Sequence, residues 1–426
     1  MQRESSSLEY KETITNTFLK TVSAYANYGT GRVIFGIADD GKVKGIPDPV
    51  QKCLDIETKI NDSITPTPHY ALEVNAKDKT IILTVDKGED TPYLYKSKAY
   101  RRNDSATIAV DRLELNRLIL RGTHRYFEDQ PSDKKNLHFH ELTKKLKAEL
   151  DIKKTDMDVL KTLGFLDAEH QYNQAAALFA DENPFPGVDC MEFGASLDEI
   201  KGRKTFAGHS LLSIYEESAA WISRHYQYEK VDGLQRKKVE QIPEKAIREA
   251  LANSLVHRVW DTRAAVQVAL FPDRLEITSP GGLPEGITED EYLYHHISIL
   301  RNPKVANLFY RMGYIESFGT GIQRILRAYQ DTNVTPRFKI SQHAIEVTLP
   351  SLTSAPPLDQ EEKTLCQFLS ENGILTRQEI AAATHYDKSK TLRILNRLIE
   401  KQCVEKVGKG RGTKYRITVC FFNGHK

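Results

Sequence analysis

Residues 247–258 read IREALANSLVHR, and the reading of this stretch decides the architecture around it. Pro243 and Glu244 precede it, a proline early and an acid in the first turn, which marks a helix start. The spacing predicts a helix running through Ala246–His257. Glu249, Asn253 and His257 then recur every four residues and share one face. A glutamate so placed can orient or deprotonate an attacking water. An asparagine one turn on can offer an oxygen to Mg²⁺ held by phosphates. Taken alone, the spacing equally describes an ordinary polar helix face.

Downstream, Ala265–Phe271 and Leu275–Thr278 read as strands around a Pro272-Asp273 turn. Ser279-Pro280-Gly281-Gly282-Leu283-Pro284 follows, then Arg301-Asn302-Pro303, then Gly313 to Ile322 (GYIESFGTGI) with a helix beginning near Gly321. A glycine-rich segment entering a helix lets backbone N–H groups reach phosphates. No GxxxxGK[ST] loop occurs, so a P-loop helicase is excluded, and no serine- or cysteine-nucleophile motif is found.

Upstream, residues 126–240 read as a polar, mostly helical connecting region, interrupted at Asn183-Pro184-Phe185-Pro186-Gly187. Residues 1–125 read as mixed α/β. Ile14, Phe18, Val22 and Tyr25 predict an amphipathic helix over 14–26, and Arg32–Ala38 a strand ending at the turn Asp39-Asp40-Gly41. Glu4, Glu9 and Asp39 are carboxylates that could hold Mg²⁺ or Mn²⁺ through hard oxygen ligands. Glu9 and Lys11 alternate onto one face of an extended segment, and the lysine would support charge build-up during phosphodiester cleavage. The alternative is a set of solvated surface acids and a turn-forming Asp-Asp-Gly. Arg101 and Arg102 are the N-terminal residues best suited to phosphate, with pairing to Asp104 in a surface turn as the alternative.

At the other end, residues 351–358 have linker composition and 359–426 read as three short helices and a hairpin. In Lys388–Gln402 the basic residues Lys388, Lys390, Arg393, Arg397 and Lys401 recur along the helix, and Lys409 and Arg411 lie in the glycine-rich turn after the first strand. The pattern resembles a winged helix-turn-helix, with 388–402 for the major groove and 408–414 as wing tip. Residues 361–426 carry 13 basic and 7 acidic side chains. The whole chain of 426 residues nets only +2, so the rest is slightly acidic and the basic character is concentrated in the tail.

Two resemblances sharpen these readings. Residues 1–120 carry SLEYKE, the helix ending SAYAN, a small-residue turn, GIADDGKVKG and Tyr100-Arg101-Arg102-Asn103-Asp104-Ser105, and resemble the AlbA-type domain of the Schlafen superfamily. In nuclease members a three-carboxylate site occupies these positions, so the resemblance implies Glu4, Glu9 and Asp39 as metal ligands with Lys11 supporting. Residues 170–350 are similar to the ATPase-like domain of the RecG-like, divergent-AAA transcriptional regulators, itself similar to GHKL ATPases. That resemblance implies Glu249 as the water-activating acid and Asn253 as the Mg²⁺ ligand. It places Gly281 and Gly282 in a base pocket, with Gly319, Thr320 and Gly321 in the phosphate loop. GHKL enzymes read adenine with an aspartate in the first glycine motif, whereas this chain has Ser279, which could still hydrogen-bond.

The expected fold class is therefore α/β (α+β) and multidomain. A Schlafen-type mixed α/β domain spans 1–125 and a connecting region 126–240. A GHKL-like α/β sandwich spans 241–350, its family match beginning near 170, and a winged helix 359–426. The expected cofactors are Mg²⁺ or Mn²⁺ and ATP or another nucleotide. The expected partners are DNA or structured RNA and further copies of the chain. Metal-dependent endonuclease action, as in phage defence, nucleotide-controlled transcriptional regulation, weak ATPase activity and a scaffold with degenerate pockets all remain open. Five cysteines without CxxC spacing, no apolar leader and no run of about 18 apolar residues fit a reducing, cytoplasmic setting without a membrane span. His138, His140, His295 and His296 lack metal-ligand spacing.

Overall fold

The first apolar periodicity folds as expected but starts late. The helix spans Phe18–Tyr28, because Thr15, Asn16 and Thr17 form a turn in which the Phe18 N–H donates to the Thr15 carbonyl. In this computed structural model the described residues are 3–38, 40–194, 196–233, 235–284, 286–295, 299–316, 319–332, 334–352, 358–401, 403–408 and 413–417; at 232, 370 and 371 the description covers the backbone alone. Asp39, Lys409 and Arg411 lie outside them. Two compact units divide the chain, Met1–Phe127 and Glu128–Lys426. The fold is mixed α/β and multidomain, and among the described residues no helix is long and apolar enough to cross a membrane.

In the first unit four strands lie in the order Leu8–Lys11, Gly31–Phe35, Thr80–Val85, Tyr70–Asn75. The first two run parallel, joined through the helix Phe18–Tyr28, and the other pairs are antiparallel. Phe18, Val22 and Tyr25 from the helix pack on Val33, Phe35, Ile81 and Leu83 from the sheet. Phe18 meets Phe35 edge-on, ring centroids 5.3 Å apart. A separate ribbon, Tyr100–Asn103 with Ala106–Ala109, carries the two arginines and turns at Asp104.

The second unit is built on a six-stranded sheet in the order Ile200–Phe206, Val188–Phe193, Val266–Leu270, Arg274–Pro280, Ala344–Pro350, Arg337–Ile340. Only Val188–Phe193 with Val266–Leu270 is parallel. The sheet therefore draws strands from both sides of residue 241, so a boundary at 240/241 would cut through it. The reason this is hidden in the sequence is local. Ile200–Phe206 (IKGRKTF) is an edge strand exposed along most of its length, and lacks the period-2 apolar pattern that marks a half-buried strand. The polar hairpin Gln227–Asp232 with Gln235–Glu240 is hidden for the same reason.

Helix Glu244–Val256 packs against the sheet strands Arg274–Pro280 and Ala344–Pro350, against Leu211–His225, and against the short helix Gly321–Arg327. Ala246, Ile247, Ala250, Leu251 and Leu255 are its buried stripe. The chain then forms Gln360–Asn372, Leu375–Thr376, Arg377–Thr384, Lys388–Glu400, Val404–Val407 and Lys414–Ile417 around a core of its own, including Leu365, Leu369, Ile380, Ile394, Leu395 and Leu398. Its three strands pair in the order Leu375–Thr376, Lys414–Ile417, Val404–Val407.

Candidate functional site

Helix Glu244–Val256 ends beside an open cleft whose empty space, counted out to solvent, is about 550 Å³. Asn253 and His257 line one wall, Gly319, Gly321 and Ile322 another, and Gly282, Tyr292 and Arg301 a third. The close approach of the walls depends on a missing side chain. A Cβ on Gly321 would stand 2.5 Å from Asn253 Nδ2 and 2.7 Å from Glu249 Oε1, so only glycine lets the loop meet the helix here. Gly282 is constrained more firmly, since a Cβ there would meet the backbone carbonyl oxygens of Gln342 and Ser341 at 2.5 and 2.6 Å. Gly281 has φ +108°, the left-handed region, and its missing Cβ admits Val259 and Arg301.

Glu249 is 4% exposed. Its Oε2 accepts from Arg324 Nη1 at 3.2 Å, and Arg324 Nη2 reaches Glu316 on the loop before Gly319. Burial pushes the Glu249 carboxyl above its ordinary range, while Arg324 and the Asn253 amide pull it back. His257 is held neutral, its ring pushed down to about 4 by burial and then by the neighbouring Arg301 cation. Arg301 itself is fixed, donating to the His257 and Gly282 carbonyls, both at 2.9 Å. Asn302 ties the end of the helix by donating to the Val256 and Arg258 carbonyls. The buried Thr320 hydroxyl has no partner among the described residues.

The structure thus brings Glu249, Asn253, Gly282, Gly319 and Gly321 together, with Thr320 between the two loop glycines. Gly281 sits behind Gly282, against Val259. Ser279 points elsewhere: its buried hydroxyl donates to the Ser254 carbonyl at 2.7 Å, so it braces the helix. Tyr292 and Arg324 carry no mark in the sequence: Tyr292 lines the cleft from the helix Glu289–Tyr294, and Arg324, just past the loop glycines, matters through its meeting with Glu249 on the facing helix. The residues of the cleft suit a nucleotide: a glycine cradle that a Cβ would fill, an asparagine amide on the wall and an orphaned hydroxyl in the loop.

In the first unit the arrangement is different. Glu9 is buried, and its two oxygens are taken by Lys11 Nζ at 2.6 Å and Arg102 Nη1 at 3.1 Å. Glu4 Oε1 accepts the Tyr10 N–H at 2.8 Å. Arg102 also donates to Thr107 Oγ1 and to the Ser5 carbonyl, and its side chain is 4% exposed, so it locks the ribbon to the first strand and does not present its guanidinium to a phosphate. Arg101 pairs with Glu114 at 3.4 Å and remains accessible. Among the described residues no group of three His, Cys, Asp or Glu side chains could hold a metal ion, and Glu4 and Glu9 as placed do not form such a site. Asp39 is outside the described residues.

On helix Lys388–Glu400 the basic residues separate into two sets. Lys390 pairs with Glu361 at 2.6 Å, Arg397 with Asp359 at 3.0 Å, and Lys401, just past the helix, with Glu362 at 2.7 Å. Glu362 is fully buried. These three cations therefore face the start of helix Gln360–Asn372. Lys388, Ser389, Arg393 and Asn396 are exposed.

Comparisons with known proteins find two family matches. Residues 4–111 match the family model "Schlafen, AlbA_2", and residues 264–349 match "Putative ATP-dependent DNA helicase recG C-terminal". The second match includes Ser279 and the glycine segments but not Glu249 or Asn253. No curated protein matches the chain. The crystal structure of the DIP2311 protein from Corynebacterium diphtheriae is similar over 97% of this chain and 95% of its own, with 18% identity and a TM-score of 0.50, a likeness of fold. The N-terminal domain of a RecG-related protein from Nitrosomonas europaea covers 26% of this chain and 85% of its own at 21% identity, with a TM-score of 0.20, too low to carry an argument. The chain thus joins a Schlafen AlbA_2 domain at residues 4–111 to a domain of the RecG C-terminal, ATPase-like type at residues 264–349.

Proposed function

We propose that this chain is a nucleic-acid-binding regulator whose second unit binds a nucleoside triphosphate with Mg²⁺. The observation that supports it best is the cleft itself, where Asn253 and a glycine loop without room for a Cβ face each other beside a buried glutamate. Mg²⁺ bound there would offset phosphate charge, with the Asn253 amide oxygen as its ligand. The loop amides around Gly319–Gly321 would contact phosphate, and His257 and Tyr292 would border the base. Without an aspartate, and with Ser279 turned to the helix, the base would be read by His257, Tyr292 and the fixed Arg301. Glu249, buried behind Gly321, would be the group that orients a water for hydrolysis.

The nucleic-acid partner is assigned to the tail. The order helix, strand, helix, helix, strand, strand suits a winged helix-turn-helix, with Lys388, Ser389, Arg393 and Asn396 as the groove-facing set. The test has two arms. ATP with Mg²⁺ should raise the melting temperature of the wild-type chain and not of Asn253→Ala. Footprinting should show a discrete protected DNA site that is lost in a Lys388→Ala/Arg393→Ala double variant. Absence of both effects in the wild-type chain would reject the assignment.

Endonuclease action, and with it a role in antiviral defence, is the less favoured reading, because Glu9 is saturated by two cations. Mn²⁺-dependent cleavage of tRNA or DNA that disappears in Glu9→Ala/Asp39→Ala would reverse this preference.

A further inference from the structure

Arg324 stands where three parts of the proposed nucleotide site meet. It lies on the helix that begins at Gly321, one turn beyond the loop glycines. Its Nη1 donates to Glu249 Oε2 at 3.2 Å on the facing helix. Its Nη2 pairs with Glu316, three residues before Gly319. One guanidinium thus serves two carboxylates and joins both sides of the Gly319-Thr320-Gly321 segment to the helix that carries Asn253.

The two carboxylates hold it unequally. The Glu316 side chain is 60% exposed, so water and salt weaken its grip. The Glu249 side chain is 5% exposed, and a buried carboxylate loses heavily if left without its cation. A guanidinium offers five N–H donors in a planar fork, and phosphate oxygens match that fork bidentately. A terminal phosphate against Gly319 and Gly321 would come within one helical turn of Arg324. It would compete for the cation with better geometry than either carboxylate.

We propose that Arg324 is a phosphate-sensing residue, which exchanges its exposed partner Glu316 for the terminal phosphate of a nucleoside triphosphate while staying paired with Glu249. This rests on the reading of the cleft as a nucleotide site. It adds that triphosphate and diphosphate are told apart by a residue that the sequence motifs do not mark.

The exchange predicts opposite effects from the two ends of one ion pair. Titration calorimetry on the full chain, with Mg²⁺ and either ATP or ADP, measures the affinity ratio. Arg324→Gln should weaken ATP about tenfold, the equivalent of one charge-assisted hydrogen bond, and leave ADP within about twofold. Glu316→Gln should tighten ATP several-fold relative to ADP, because Arg324 no longer has a carboxylate competing at that end. Arg324→Lys, which keeps the charge and loses the fork, should fall between wild type and Arg324→Gln. A static brace makes a different forecast: all three variants would change ATP and ADP affinity in parallel, and that result overturns the proposal. If Arg324→Gln fails to fold, the Glu316→Gln arm decides alone, since an unchanged ATP-to-ADP ratio there also overturns it. A wild-type chain that binds neither nucleotide would reject the cleft's assignment as well. One that binds both, with ratios insensitive to these substitutions, rejects only the exchange.

Discussion

Arg102 donates to Glu9 Oε2 at 3.1 Å, with 4% of the arginine side chain and 8% of the glutamate side chain exposed. This pair, joined by Lys11 on the other carboxylate oxygen, holds the ribbon Tyr100–Asn103 against the first strand. A buried pair is a poor source of net stability, yet removing one partner strands the other. Arg102→Ala should therefore lower unfolding stability by about 2–4 kcal/mol in a urea titration. Arg101→Ala breaks only a partly exposed contact and should stay within about 0.5 kcal/mol of wild type. An Arg102→Ala chain of normal stability but weakened nucleic-acid affinity would reassign that residue to phosphate contact.

The glycine cradle yields the second prediction. Gly321→Ala places a Cβ against the Asn253 and Glu249 side chains, which can shift, so the fold should survive. The loop would move off the helix and the ATP-induced thermal shift should disappear. Gly282→Ala meets backbone carbonyl oxygens, which cannot give way so readily, and should cost stability even without nucleotide. Melting curves with and without ATP and Mg²⁺ separate the two. A full ATP shift in Gly321→Ala would show that the loop does not need to touch the helix.

His257 sets a pH window. Its folded-state pKa is depressed to about 4 from an ordinary 6.5, by burial first and Arg301 second. The folded chain then binds fewer protons than the unfolded chain between those values, so stability falls as pH drops from 6.5 toward 4 and levels off below. The full effect is at most about 3 kcal/mol by the linkage relation. His257→Gln should flatten this part of the stability-against-pH curve. If the variant titrates like wild type, His257 is not the group responsible.

Much of the cleft was legible because its parts obey local rules. Glu249 and Asn253 share a helix face by spacing alone, and Gly319 to Gly321 announce a loop entering a helix. The rest depends on encounters that spacing cannot encode. Arg324 finds Glu249 across 75 positions of chain. The strand Ile200–Phe206 has no apolar alternation because it is an edge. Arg102 resembles a surface arginine in sequence, and only the parallel pairing of Leu8–Lys11 with Gly31–Phe35 puts a buried carboxylate in its path. On the tail helix, the spacing of Lys390, Arg393 and Arg397 by three and four suggests one basic stripe. The acids at Asp359, Glu361 and Glu362 claim Lys390 and Arg397 and leave Arg393 outward.

That division gives the last prediction. If the exposed set of helix Lys388–Glu400 meets DNA, Arg393→Ala should weaken binding and reduce the slope of log affinity against log salt by about 1, the loss of one phosphate contact. Its melting temperature should be unchanged, because among the described residues no side chain pairs with it. Arg397→Ala should behave in the opposite way. It removes a cation from Asp359 and from the buried Glu362, leaving Glu362 to Lys401, and should cost about 1–3 kcal/mol of stability. Its salt slope should match wild type when measured well below its melting temperature. Electrophoretic mobility shifts at several salt concentrations, paired with urea titrations of each variant, read both quantities. Equal losses of affinity in the two variants would mean that the ion pairs with the first helix open on DNA and that the whole basic stripe engages it.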